Sequence, residues 1–176
     1  MKIRLHKRTS QKGFTLAEVL VVVAIIVILM TLTVGAMGWV NTKKAEEASK
    51  ATVNRLSMHL EQYKTETGKL PPDNIDLSVS SNELYKCLFG DSQNSGSPDE
   101  DASVYMEDLD PSISKGKKIK LVEKQKNVFV IIDAWGQPIR YRRGFNEGGK
   151  NSKNPDFDIW SIGKDGIDGS KDDITN

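Results

Sequence analysis

The longest apolar run in the chain decides how the rest is read. Between Glu18 and Lys43 stand 24 residues without a charge, VLVVVAIIVILMTLTVGAMGWVNT. At about 1.5 Å of rise per residue, a helix of that length reaches roughly 36 Å, more than a bilayer core of about 30 Å. Valine and isoleucine suit strands, but the run is too long for one, and in lipid a helix satisfies its own backbone. The pattern predicts a membrane-spanning helix over residues 14–40.

From Asn41 to Thr67 the pattern turns amphipathic. Ala45, Ala48, Thr52, Leu56, Leu60 and Tyr63 recur at spacings of three and four, and Lys43, Glu46, Lys50, Arg55, Glu61 and Lys64 fall mostly elsewhere. Lys43 and Lys44 mark the water boundary, with Trp39 as an interfacial anchor. Gly68 ends the helix and Pro71-Pro72 prevent its resumption. The two segments together predict one stalk from about Thr15 to Thr67, the amphipathic part (41–68) packing its stripe on a head domain (69–176). The stripe is too short and too rich in small residues for a free coiled coil.

In the head, Ser81 is expected to cap a short helix through Phe89, with Leu84 and Leu88 on one face. Asp91 to Asp101, DSQNSGSPDED, reads as a loop. Val104-Tyr105-Met106 is a short strand or helix before Asp110-Pro111. The lysines at 115, 117, 118 and 120 suit a solvated strand edge better than a binding patch. Strands are expected at Lys118–Glu123, Asn127–Ile132, Ile139–Arg142 and Phe157–Ile162, separated by turns at Asp133–Pro138 and Asn146–Lys150. They form a small antiparallel sheet packed on the stalk, an α+β head.

Charge adds direction. Residues 1–13 carry Lys2, Arg4, Lys7, Arg8 and Lys12 and no acid, a flank that keeps the N-terminus cytoplasmic and places the bulk of the chain across the membrane. No A-x-A cleavage site follows the apolar run, and the run is too long for a secretory signal. Without the leader's five cations the net charge of +1 becomes −4, and no basic run remains to serve as a nucleic-acid footprint. The single cysteine, Cys87, excludes an internal disulfide and leaves a buried thiol or an intermolecular bridge. His59, the one histidine outside the leader, has no partner for a metal site and reads as a helix side chain. No Ser/His/Asp set, Cys/His pair or phosphate loop is present, so no enzyme activity is expected. Glu18, an acid in the apolar block, either reaches the headgroups or requires a partner.

Gly13-Phe14-Thr15-Leu16-Ala17-Glu18, set between a basic leader and an apolar helix, resembles the class III signal of type IV pilins and type II secretion pseudopilins. The resemblance implies a type IV pilin-like fold and cleavage by prepilin peptidase between Gly13 and Phe14, with N-methylation of Phe14. It makes Glu18 the fifth mature residue, able to pair with the Phe14 amine of its own chain or of a neighbour. A buried charge with a partner is tolerated, so the pair favours assembly in register. Many relatives carry proline where this chain has Gly35, followed here by Gly38; the glycines either loosen the helix or serve as packing points between helices. DAWGQPIRYR and DFDIWSIGKDG resemble segments of the major pseudopilin of type II secretion.

The chain ends in an acidic constellation, Asp165, Asp168, Asp172 and Asp173 among Gly163, Gly166 and Gly169. Clustered carboxylates repel unless a cation lies between them, and calcium takes six to eight oxygens with glycines letting the chain curl round it. The EF-hand order is absent, and a solvated acidic tail is the other reading of the same residues. The pseudopilin resemblance implies a calcium loop over 162–173, with Asp165, Asp172 and Asp173 as side-chain ligands and carbonyls at Ile162 and Ile167. It further implies a homo-oligomeric filament, the pseudopilus, with minor pseudopilins and an inner-membrane assembly platform as partners. The subunit is then an inner-membrane protein with one span and a periplasmic head. A type IV pilin or minor pilin for adhesion, motility or DNA uptake shares the N-terminal signal and is the alternative.

Overall fold

The computed structural model describes residues 13–74, 76–114, 120–149 and 151–176, with backbone alone at 32–37, 78 and 114. The leader before Gly13, the side chain of Met37 and its neighbours back to Leu32, and the lysines at 115, 117 and 118 therefore lie outside the described residues. Two compact units, Met1–Asn41 and Thr42–Asn176, make up the chain. Helix α1 (Leu16–Thr67) begins in the first and ends in the second, close to the expected bounds. Gly68 stops it in the left-handed region (φ 71°), donating its amide to Lys64 O at 2.8 Å.

In the first unit the described side chains of α1 are exposed, Val19, Ile25 and Leu29 among them, as is Trp39. Among the described residues no helix is long and apolar enough to cross a membrane. The side chains of 32–37, in the middle of the apolar block, are outside that description.

In the second unit α1 contributes Ser49, Thr52, Val53, Leu56 and Leu60 to the buried interior. Leu56 and Leu60 follow the predicted stripe, Ala45 and Ala48 are half-buried, and Ser49 and Val53 were not expected there. Helix α2 (Leu77–Phe89) packs on β2 (Val128–Ile131) and β3 (Arg140–Arg143), adding fully buried Leu84, Tyr85 and Leu88. The expected N-cap at Ser81 is a correction. Ser81 lies inside α2 and its Oγ bonds the β2 backbone, accepting from Ile131 N at 2.9 Å and donating to Ile131 O at 2.7 Å. The segment Val104–Met106 forms neither strand nor helix; the amides of Tyr105 and Met106 donate to Leu88 O. A 3-10 turn (Glu107–Leu109) and a short α3 (Pro111–Ser114) follow.

The expected single sheet is two. β1 (Val122–Gln125) pairs antiparallel with β2, and β3 pairs with β4 (Phe157–Ser161), which pairs with β5 (Ile174–Thr175). An isolated bridge, Ile132 to Pro138, joins them. The strand expected at Lys118–Glu123 is, among the described residues, β1 from Val122, with 118 and 119 outside them. It runs on to Gln125, where Lys126 and Asn127 take positive φ (46° and 70°) and close a two-residue hairpin that sets the register Gln125 to Val128. β4 is buried along its whole length, so its outward residues are covered as well as its core ones.

The open side of β2 is closed by side chains. Phe129 N and Asn82 Nδ2 donate to Asn94 Oδ1 at 2.9 and 2.6 Å, Asn82 Nδ2 also reaches Phe129 O at 2.7 Å, and Ser81 serves Ile131. Unpaired strand groups invite another chain to pair, and three polar side chains occupy them here. Asn94 sits in the left-handed region (φ 56°), held by a loop whose Asp91 is fully buried and accepts from Tyr85 Oη, Ser95 N and Gly96 N.

Candidate functional site

At the N-terminal end of the described chain, Gly13 and Phe14 are exposed and lie before the first turn of α1. Thr15 and Glu18 bond one another reciprocally. Glu18 Oε2 accepts from Thr15 N and Thr15 Oγ1, each at 2.8 Å, and Glu18 N donates to Thr15 Oγ1 at 3.3 Å. This is a capping box, T-x-x-E, which satisfies amides that the first helical turn leaves unpaired. The T-x-x-E spacing is present in the sequence, where the charge of Glu18 alone points to a lipid headgroup or an ion-pair partner. Within one chain, then, Glu18 is engaged by Thr15, next to the Phe14 expected to carry its charged partner.

At the other end, residues 162–173 curl through three glycines with positive φ, Gly163 (68°), Gly166 (70°) and Gly169 (85°). The carboxylates face inward to backbone amides. Asp172 Oδ2 accepts from Lys164 N at 2.7 Å and Asp165 N at 3.1 Å, and Asp172 Oδ1 from Ser170 Oγ. The Ser170 hydroxyl and these amides hold the Asp172 carboxyl below the usual carboxylate range. Asp165 Oδ1 accepts from Ile167 N, and Asp173 Oδ2 from Gly169 N, both at 2.8 Å. Asp173 Oδ1 is buried with no hydrogen-bond partner among the described residues. Asp168 is set apart from this group, because its Oδ1 accepts from Trp160 Nε1 at 2.8 Å and latches the loop over β4. The Arg142 guanidinium lies 5.4 Å from the Trp160 ring on the same face.

Of the carbonyl positions expected as ligands, Ile162 is buried and Ile167 exposed, with Ile167 O accepting from Ser170 N. Among the described residues no group of three or more His, Cys, Asp or Glu side chains is arranged to hold a metal ion. The expected set Asp165, Asp172 and Asp173 shares one loop, where each side chain gives at least one oxygen to a backbone amide and the three do not form such a group. Cys87 is half-buried, and burial pushes its thiol above the ordinary range. His59 is half-buried on α1, as a helix side chain would be.

No curated protein and no solved structure matches the chain. Residues 8–34, which hold the Gly13–Phe14 junction, Glu18 and much of the apolar block, match the prokaryotic N-terminal methylation motif. That motif marks a prepilin-like protein processed by prepilin peptidase, with a membrane-anchored N-terminus. In the described chain this motif leads into a long N-terminal helix followed by small antiparallel sheets, an α+β arrangement consistent with a type IV pilin-like fold.

Proposed function

We propose that the chain is a structural subunit of the type II secretion pseudopilus, drawn from the inner membrane into a helical filament that drives folded proteins across the outer membrane. The methylation motif at residues 8–34 carries the pilin-like part of this reading. Prepilin peptidase cuts between Gly13 and Phe14, the new amine on Phe14 is methylated, and Glu18 pairs with it during assembly. The apolar part of α1 anchors the subunit with its N-terminus cytoplasmic and its head periplasmic. An assembly platform and minor pseudopilins are its partners.

The choice of pseudopilus over pilin is supported by the C-terminal half. With one cysteine the chain lacks the cysteine pair that closes the C-terminal loop of many adhesive pilins. Its loop is closed by carboxylates and glycines instead, behind the DAWGQP turn. Calcium belongs to the same proposal, with Asp165, Asp172, Asp173 and the carbonyls of Ile162 and Ile167 as ligands. The donor chemistry fits a hard cation, and the buried Oδ1 of Asp173, unpartnered among the described residues, is an oxygen such an ion could use. When bound, the ion neutralises the clustered carboxylates; the glycines keep the loop able to exchange amide bonds for metal ligation.

Deletion of the gene tests the function. Accumulation of exported proteins in the periplasm, restored by the intact gene, supports the pseudopilus; normal export with lost surface pili or twitching overturns it in favour of a type IV pilin. For calcium, isothermal titration of the metal-stripped full chain should show one site, with a melting temperature raised by millimolar calcium and lowered by chelator. A melt indifferent to both removes calcium from the proposal and leaves the filament reading standing.

A further inference from the structure

The turn Asp133–Pro138 lies between the C-terminal loop and α1, and a buried polar chain runs through it. Asp133 is 2% exposed, with Ser161 and Ser49 fully buried. Asp133 Oδ1 accepts from Trp135 N at 2.9 Å and Gln137 N at 2.8 Å, which fixes the turn. Its other oxygen accepts from Ser161 Oγ at 2.6 Å, at the end of β4. Ser161 Oγ in turn accepts from Gly163 N at 3.2 Å, the first glycine of the acidic loop. On the far side of the turn, Ala134 N donates to Ser49 Oγ on α1 at 3.1 Å.

Two of these links span residues far apart in sequence, Asp133 to Ser161 and Ala134 to Ser49, and at the loop end packing is close. A Cβ built on Gly163 would come within 2.5 Å of Asp172 Oδ2 and 2.6 Å of Asp172 O, so the backbone at Gly163 feels any displacement of Asp172. Asp172 is bonded by the next two amides, of Lys164 and Asp165. Asp172 is itself exposed, but Asp133 is a buried carboxylate satisfied by neutral donors and tolerates little loss, since each missing bond leaves a costly unpaired group in a weakly polarisable interior.

We propose that Asp133 and Ser161 are positioning residues that tie the acidic loop to α1, so that a change in the loop at Asp172 is felt at Ser49. The coupling uses hydrogen bonds within this chain and stands whether or not calcium binds. Physical adjacency alone does not establish coupling; a two-site response does.

The experiment is hydrogen exchange by mass spectrometry on the full-length chain in detergent, run in calcium and again in chelator. The amides compared are Ala134, on the relay, and Phe129, which bonds Asn94 instead. Asp172→Asn should speed exchange at Ala134 about threefold or more beyond any change at Phe129. In a Ser161→Ala background that selective effect should vanish, and Ser161→Thr, which keeps the hydroxyl, should restore it. Equal acceleration at both amides, or none at Ala134, overturns the relay, as does a selective effect that survives Ser161→Ala. Loss of calcium dependence with a retained selective effect would count against the metal alone.

Discussion

Replacing Asn94 tests how the head is closed on itself. Its Oδ1 takes the amide of Phe129 at 2.9 Å and Nδ2 of Asn82 at 2.6 Å, and its backbone stands at φ 56°. Alanine removes both bonds and is strained in that conformation. Asn82 keeps a second acceptor in Phe129 O, so the group left stranded is the Phe129 amide, on a residue 8% exposed. An unpaired buried donor costs about 1–3 kcal/mol, and a non-glycine residue without Asn's local bonding about 1 kcal/mol more in the left-handed region. Asn94→Ala should therefore destabilise the head by about 2–4 kcal/mol, lowering its melting temperature by about 6–12 °C. Glycine relieves the backbone and not the donor, so Asn94→Gly should fall between alanine and wild type. Asn94→Asp keeps an acceptor and tolerates the turn, and should lie nearest wild type. Near-UV circular dichroism melts give the order, and exchange at the Phe129 amide gives the site. A melt for Asn94→Ala within about 0.5 kcal/mol of wild type, or the glycine variant falling below alanine, would refute the reasoning.

Three further outcomes are expected. Glu18→Gln should keep the helix start, since glutamine completes a capping box, yet assemble as poorly as Glu18→Ala if the charge pairs with Phe14; normal filament yield for Glu18→Gln would reduce the acid to a cap. Tyr141 donates to Pro71 O at 2.9 Å with both residues buried, so Tyr141→Phe should cost about 1–2 kcal/mol in a denaturant titration, and a neutral result would show that carbonyl to be otherwise satisfied. Burial and the neighbouring Cys87 push Tyr63 up to about 12, above its ordinary 10, and burial raises the thiol of Cys87 as well. The folded state thus holds the Tyr63 proton where the unfolded one releases it, so stability present below pH 10 should drain away between about 10 and 12. Thiol labelling at pH 7.5 should be slow until the head is unfolded, and a rate equal to that of the denatured chain would contradict this.

What the residues disclosed in advance follows the range of the forces involved. Gly68 and the proline pair stop α1 by local backbone chemistry, and Leu56, Leu60, Leu84 and Leu88 fall on buried faces by spacing alone. Ser81 misled because a serine before an apolar helix is a good cap, whereas its true partner, Ile131, is 50 residues away. β5 is two residues long and paired only through β4, so no local pattern marks it. Asp91 and Asp133 looked like ordinary loop and turn residues; only the folded chain surrounds them with donors. At the N-terminal end, the methylation motif over residues 8–34 was legible because it is carried by one contiguous run of residues. The separation of Asp168 from the other acids was not, since it depends on Trp160 arriving across β4.

The reciprocal bonds of Thr15 and Glu18 have a bearing on when subunits join. A lone subunit keeps one oxygen of its acid parked on its own first turn. If assembly runs as proposed, handing that oxygen to an incoming amine would mean giving up both bonds to Thr15, and a poorly aligned newcomer would recoup less of the loss. On that reading the beginning of the helix would set a threshold on recruitment, favouring the copy that arrives at the right height.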